Sequence, residues 1–249
     1  ALTLHVHLAS QWELRGVVER GDIAVVIDVL RCSSTIATAL HNGALGVVPV
    51  KTLDEAREIH RKNPNFILAG ERRGVKPEGF QLGNSPREFT RAAVEGKYVI
   101  LTTTDGTRAL AGVSDARLVF VGSFLNAKTV VEASLREAER LEAGITLVAA
   151  GRMRGFSLED HLCAGLLASR LVEAGAVLDD AAYAAILAYR QAEKDLLSHI
   201  SRGIHAQGLK RLGLGEDVDY CVRVDVLPVL PVLEKNEDFP YGVVKPAKI

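Results

Sequence analysis

Ile23-Ala24-Val25-Val26-Ile27-Asp28-Val29-Leu30-Arg31-Cys32-Ser33-Ser34-Thr35 is an apolar run that ends in a carboxylate and passes into a hydroxyl-rich segment. Residues 23–28 are almost unbroken in apolar character, as a strand covered on both faces must be. The three hydroxyls that follow fit the start of a helix, predicted from Ser34 to Leu40. A strand, a polar turn and a covering helix in that order indicate an α/β fold, in which ligands bind where strands end. Asp28 stands at such an end. A buried carboxylate there needs a metal, an arginine or a helix N-terminus as its partner, and Arg31 is the nearest arginine in sequence.

The same form recurs along the chain. Residues 46–50 are a second buried run, and Thr52-Leu53-Asp54-Glu55 is a capping box for a helix ending near Asn63-Pro64. Further strands are predicted at 66–69, 98–102, 118–121 and 145–150, and a half-buried or edge strand at 2–8. Ser85-Pro86-Arg87-Glu88 reads as a helix start running to about Glu95. Covering helices are expected over 126–143, over 157–173 with a Ser-x-x-Asp cap, and over 179–192. Two short helices, punctuated by Gly203 and Gly208, are expected between Lys194 and Arg211. Pro228 and Pro231 confine any strand in the tail to a sheet edge. No repeat or linker divides the 249 residues, so one domain, 1–249, is the expectation: a three-layer α/β/α fold with a largely parallel or mixed central sheet.

Bulk properties exclude several classes. Hydrophobic residues make up 48% of the chain, enough for a large core. Thirty basic and 31 acidic residues leave a net charge of −1, too little positive charge for a nucleic-acid partner. Cys32, Cys163 and Cys221 form neither an even set nor a C-x-x-C pair, which fits a reducing cytoplasm. The first seven residues lack the form of a signal peptide, and no stretch approaches the roughly 20 apolar residues of a membrane span.

Three loops after predicted strands carry anion-binding chemistry. The first supplies Asp28 and Arg31, with Ser33, Ser34 and Thr35 at a helix start. The second supplies Glu71, Arg72 and Arg73 after the strand at 66–69, followed by Asn84 and Ser85 at a helix start. The third, Thr102-Thr103-Thr104-Asp105-Gly106-Thr107-Arg108, places threonines around a turn glycine beside a cation, with Thr103, Thr104, Gly106, Thr107 and Arg108 as candidate donors. Ser123 and Asn126 extend this set or merely cap the next helix. Glu159 and Asp160 open a helix after the Gly151–Gly155 loop; they suit Mg²⁺, or simply complement the helix dipole. His5 and His7 lack a third ligand, and His199 and His205 read as surface residues or acid/base groups. Cys32 lacks the arginine six residues on that a phosphatase Cys-x5-Arg loop requires, since Thr38 stands there. The P-loop, the G-x-G-x-x-G turn and the G-x-S-x-G elbow are all absent.

In order and placement, Asp28-Val29-Leu30-Arg31, Gly70-Glu71-Arg72, Gly79-Phe80, Gly83-Asn84-Ser85-Pro86, Thr102 to Thr107, Gly122 to Asn126 and Glu159-Asp160 resemble the 2-phosphosulfolactate phosphatase (ComB-type) family. The resemblance covers most of the chain. It implies a three-layer α/β/α fold and Mg²⁺-dependent hydrolysis of 2-phosphosulfolactate to 3-sulfolactate in a coenzyme M route. Asp105 departs from that family's usual asparagine. On the residues alone, Asp28, Arg31, Glu71 and Arg72 are the catalytic candidates and Asp28, Glu159 and Asp160 the metal candidates. Attack by water and a phospho-aspartyl intermediate both remain open. So do another small acidic phosphate monoester as substrate, a non-catalytic anion-binding module, and a homo-oligomer.

Overall fold

The computed structural model describes residues 3–153 and 155–248. Leu2, at the start of the predicted first strand, and Arg154 lie outside these residues. The first half alternates strands and helices: β1 (His5–Ser10), α1 (Leu14–Arg20), β2 (Ile23–Ile27), α2 (Cys32–His41), β3 (Gly46–Val50), α3 (Leu53–Lys62) and β4 (Ile67–Gly70). There follow α4 (Arg91–Val94), β5 (Tyr98–Thr102), α5 (Gly106–Gly112), β6 (Leu118–Gly122), α6 (Ala127–Leu141) and β7 (Ile145–Ala149). The second half is mostly helical: α7 (Leu158–Glu173), β8 (Val177–Leu178), α8 (Asp180–Ala192), α9 (Leu196–Ser201), α10 (Ile204–Arg211) and α11 (Gly215–Cys221), then β9 (Pro231–Glu234) and β10 (Val243–Pro246).

All ten strands join one mixed sheet in the order β4-β5-β3-β10-β9-β6-β2-β7-β1-β8. Two parallel blocks, β4-β5-β3 and β6-β2-β7-β1-β8, are bridged by the antiparallel β9–β10 ribbon. The α/β expectation therefore holds. Alternation along β2 explains its apolar run: Ile23, Val25 and Ile27 enter the core beneath α6, α7 and α8, while Ala24 and Val26 enter the core beneath α2 and α5. A smaller core, with Val48, Val50, Ile59 and Phe80, lies beneath α3. Register aligns Ile27 with Gly122 of β6 and Ala149 of β7, so Asp28, Ser123 and Ala150 leave the sheet at one level.

Four local expectations are corrected. The helix predicted from Ser85 to Glu95 is instead a 3-10 turn at Pro86–Glu88 and a separate α4, because buried Phe89 leaves helical geometry and Thr90 starts afresh by accepting the Ala93 N–H. The Ser157-x-x-Asp160 cap does not form, since Asp160 turns away to hold two loops described below. Gly208 does not punctuate its segment but sits within α10; Arg202 and Gly203 separate α9 from α10. The tail strand β9 is central, between β10 and β6. Its proline is tolerated there because Pro231 is the first strand residue and stands opposite Pro246, and β9 meets β6 only at Val232. Among the described residues no helix is long and apolar enough to cross a membrane.

Candidate active site

Strand ends from both parallel blocks converge on a cavity of about 710 Å³. Asp28 follows β2, Glu71 follows β4, Thr104 and Asp105 follow β5, and Gly151 and Arg152 come after β7; α10 adds His205 and Arg211.

Asp28 is 6% exposed. Its own N–H donates to Ser33 Oγ (2.9 Å), and among the described residues nothing hydrogen-bonds to its carboxylate. Burial pushes that carboxyl up to about 7; attraction to His205 opposes the rise, and Asp105, Glu159 and Glu71 add to it. Gly106 makes room for it. A methyl group placed on Gly106 would overlap both Asp28 Oδ2 and the Cys32 side chain. Gly106→Ala should therefore displace the carboxylate, lowering kcat/KM by about 100-fold and stability by about 1–3 kcal/mol, as overpacking does. Steady-state kinetics and thermal melts on one preparation check both; unchanged kinetics would show that Asp28 does not act where it stands.

Arg31 does not pair with Asp28. Its guanidinium lies 3.0 Å from Asp217 Oδ2 and donates also to the Gly74 carbonyl (3.1 Å), while Ser85 Oγ donates to the other Asp217 oxygen (2.6 Å). The pair is buried, and two spent donors leave the rest of the guanidinium for the cavity that it lines. The Leu30–Arg31 peptide is cis. Glu71 accepts from the Gly74 N–H (2.8 Å), the Thr104 N–H (2.7 Å) and the Thr104 hydroxyl (2.9 Å), which fixes the turn at 71–74 against the loop after β5. Arg72 is spent on the carbonyls of Glu71 and Lys51 and on Thr102 Oγ1; burial lowers its pKa, Glu71 opposes that, and Arg108 adds to it.

Several hydroxyls expected at a ligand are used by the fold. Ser33 holds Asp28, Ser34 donates to the Val29 carbonyl (2.7 Å), and Thr35 donates to the Asn84 carbonyl (2.9 Å). Thr103 and Thr107 cap one another through reciprocal N–H to Oγ1 bonds of 3.0 and 3.1 Å. Ser123 donates to Asn126 Oδ1, whose amide reaches the carbonyls of Val121 and Val229. None of these side chains lines the cavity, and Arg108 lies outside it too. Asn84 does line it. It is 4% exposed, and its Oδ1 is buried without a partner among the described residues.

Glu159 and Asp160 are both buried, to different ends. Glu159 Oε1 lies 2.9 Å from His205 Nδ1; burial alone would raise its pKa, but the hydrogen bond and charge of His205 outweigh this and lower it. Asp160 accepts the Val29 N–H (2.8 Å) and the Gly151 N–H (3.0 Å), joining the loop after Asp28 to the loop after β7. Burial, then Asp28 and Glu159, hold its carboxyl well above the usual range. Asp105 accepts from Gln11 Nε2 (3.0 Å) and the Met153 N–H (2.8 Å), securing the β7 loop from the other side. Cys32 is buried, its pKa raised by burial and by Asp28, which removes thiolate chemistry from the site. Among the described residues no three His, Cys, Asp or Glu side chains approach closely enough to hold a metal together. Mg²⁺ asks for less, taking one or two carboxylates with water and substrate oxygens. Asp28 fits that demand, as an open carboxylate among others whose charge a cation would offset.

His205, Asp217, Arg152 and Arg211 are the residues that sequence reasoning passed over or set on the surface. His199, His5 and His7 line no part of the cavity.

An α/β sheet whose strand ends surround a cavity with one open carboxylate and several guanidiniums defines a protein built to hold a small, multiply charged anion. The family model described as 2-phosphosulpholactate phosphatase matches residues 11–236. A protein of Caldicellulosiruptor saccharolyticus named probable 2-phosphosulfolactate phosphatase is 42% identical over 205 residues, covering 81% of this chain and 85% of its own. Proteins of the same name from Thermotoga maritima (42% over 210 residues, 84% and 88%) and Clostridium beijerinckii (37% over 216 residues, 85% and 89%) are similar to the same extent. The chain belongs to the 2-phosphosulfolactate phosphatase family.

Proposed function

We propose that this chain hydrolyses 2-phosphosulfolactate to 3-sulfolactate and inorganic phosphate, with Mg²⁺ as cofactor, as a step of sulfonate biosynthesis of the coenzyme M type. The reading rests on one observation above the others: a buried carboxylate, Asp28, without a hydrogen-bond partner among the described residues faces a cavity that arginines line. The relatives' names support the substrate.

Asp28 would hold Mg²⁺, and the ion when bound would offset charge on the phosphate oxygens. Arg31, stiffened by Asp217, supplies guanidinium donors to the phosphoryl oxygens at the Asp28 end of the cavity, where a cation held by Asp28 would offset the carboxylate's repulsion. Asn84 lines the same cavity, and its amide NH₂ is the group that would donate to a phosphoryl oxygen. Water supplies the oxygen that replaces the ester oxygen on phosphorus, one of its protons leaving with the phosphate, and the ester oxygen that departs needs a proton of its own. His205, its Nδ1 held by ionised Glu159, keeps Nε2 for that transfer, an arrangement in which the carboxylate orients the ring. Arg72 and Glu71 act one step back, fixing the turn at 71–74.

Purified protein incubated with racemic 2-phosphosulfolactate and Mg²⁺ should release phosphate, and EDTA should stop the release until Mg²⁺ is restored. Absence of release with any divalent ion, from folded protein, would refute the proposal.

A further inference from the structure

Among the described residues five arginines line the cavity, and the fold uses them unequally. Arg31 and Arg72 are hydrogen-bonded into the framework. The guanidiniums of Arg73, Arg152 and Arg211 make no hydrogen bond or ion pair with any described residue. Arg152 differs again from the other two, being half-buried where they are exposed.

The backbone that carries Arg152 is held with unusual care. Gly151, at φ 78°, gives its N–H to Asp160, and Met153 gives its N–H to Asp105. Arg152 and Gly155 exchange backbone hydrogen bonds of 3.2 and 2.8 Å, and a methyl group on Gly151 would overlap the Gly155 carbonyl oxygen. Two buried carboxylates thus fix a loop in which the Arg152 guanidinium meets no partner among the described residues. Arg211 ends α10 on the same cavity as His205. A positioned guanidinium without an internal partner is the device by which a site waits for an external planar or tetrahedral oxyanion.

We infer that Arg152, assisted by Arg211, forms a second anion subsite that receives the sulfonate of the substrate, apart from the Asp28 end that receives the phosphate. This rests on the phosphatase reading above and adds the residues that decide which acidic phosphate ester is preferred. The sulfonate carries three acceptor oxygens and a full charge, so a guanidinium fork gains two charge-assisted bonds from it that an ester without the group cannot offer.

The test compares kcat/KM for 2-phosphosulfolactate and 2-phospholactate, which lacks the sulfonate, in wild type, Arg152→Gln, Arg152→Lys and Arg211→Gln. The wild type should prefer the sulfonated ester. Arg152→Gln should lose about 100-fold on it, and at least ten times less on phospholactate, mainly through KM, with Arg152→Lys recovering part of the loss. Calorimetric binding of 3-sulfolactate, which requires no turnover, should weaken in parallel. Equal losses on both esters, or unchanged 3-sulfolactate binding in Arg152→Gln, would overturn the subsite while leaving the phosphatase reading intact. Failure of the wild type to hydrolyse either ester, with 3-sulfolactate binding still dependent on Arg152, would refute the phosphatase reading and retain the subsite.

Discussion

Asp28→Asn should yield a protein that is at once inactive and harder to unfold. In metal-free protein the Asp28 carboxyl sits at about 7 against 3.8 when unfolded, so the folded state binds a proton more tightly between those values. Stability therefore falls as pH rises from 3.8 to 7, and the full penalty is present above 7. Asparagine cannot ionise and escapes it. With EDTA present, the variant should match wild type near pH 4 and exceed it at pH 8 by about 2–4 kcal/mol, or about 5–10 °C in Tm. Activity should fall at least about 1,000-fold, since the group that carries the charge chemistry is gone. Melts at the two pH values, beside phosphate-release assays, check both halves. A variant less stable than wild type at pH 8 would mean that a neighbour already compensates the carboxylate.

The second large effect belongs to Asp217, which no local pattern marks. Asp217→Ala leaves Arg31 buried without its ion-pair partner and strips Ser85 of its acceptor, so stability should drop by about 3–5 kcal/mol. Replacing the whole pair, Arg31→Met with Asp217→Leu, should recover most of that loss, because two desolvated charges are removed together. It should not recover catalysis. Urea unfolding and kcat/KM on the single and double variants separate the two roles. A cost below about 1 kcal/mol for Asp217→Ala would show the pair to be dispensable.

What the chain discloses before folding is local. The apolar run 23–27, the Thr52–Glu55 capping box and the strands at 98–102 and 118–122 stand where alternation and turn chemistry place them, because each depends on neighbours within a few residues. Asp28, Glu71, Thr104 and Asn84 are legible for the same reason, as polar side chains directly after a buried strand or before a helix start. Ser33, Ser34, Thr35 and Thr107 show the limit. A hydroxyl at a helix start looks the same whether it meets a ligand or braces the loop that carries Asp28, and here the bracing contacts are what the structure contains. Arg31 meets Asp217 across 186 positions and Glu159 meets His205 across 46; no periodicity encodes such pairs. The central place of β9 is likewise invisible, since it depends on β10 supplying a proline opposite Pro231.

One carboxylate, Asp160, grips the backbone just past Asp28 with one oxygen and the start of the Arg152 loop with the other. The two walls of the chamber are therefore yoked like the jaws of a fixed calliper, and neither travels without the other. With phosphate at one wall and sulfonate at the other, as proposed, such a gauge would set the span between the two charges that a guest must match.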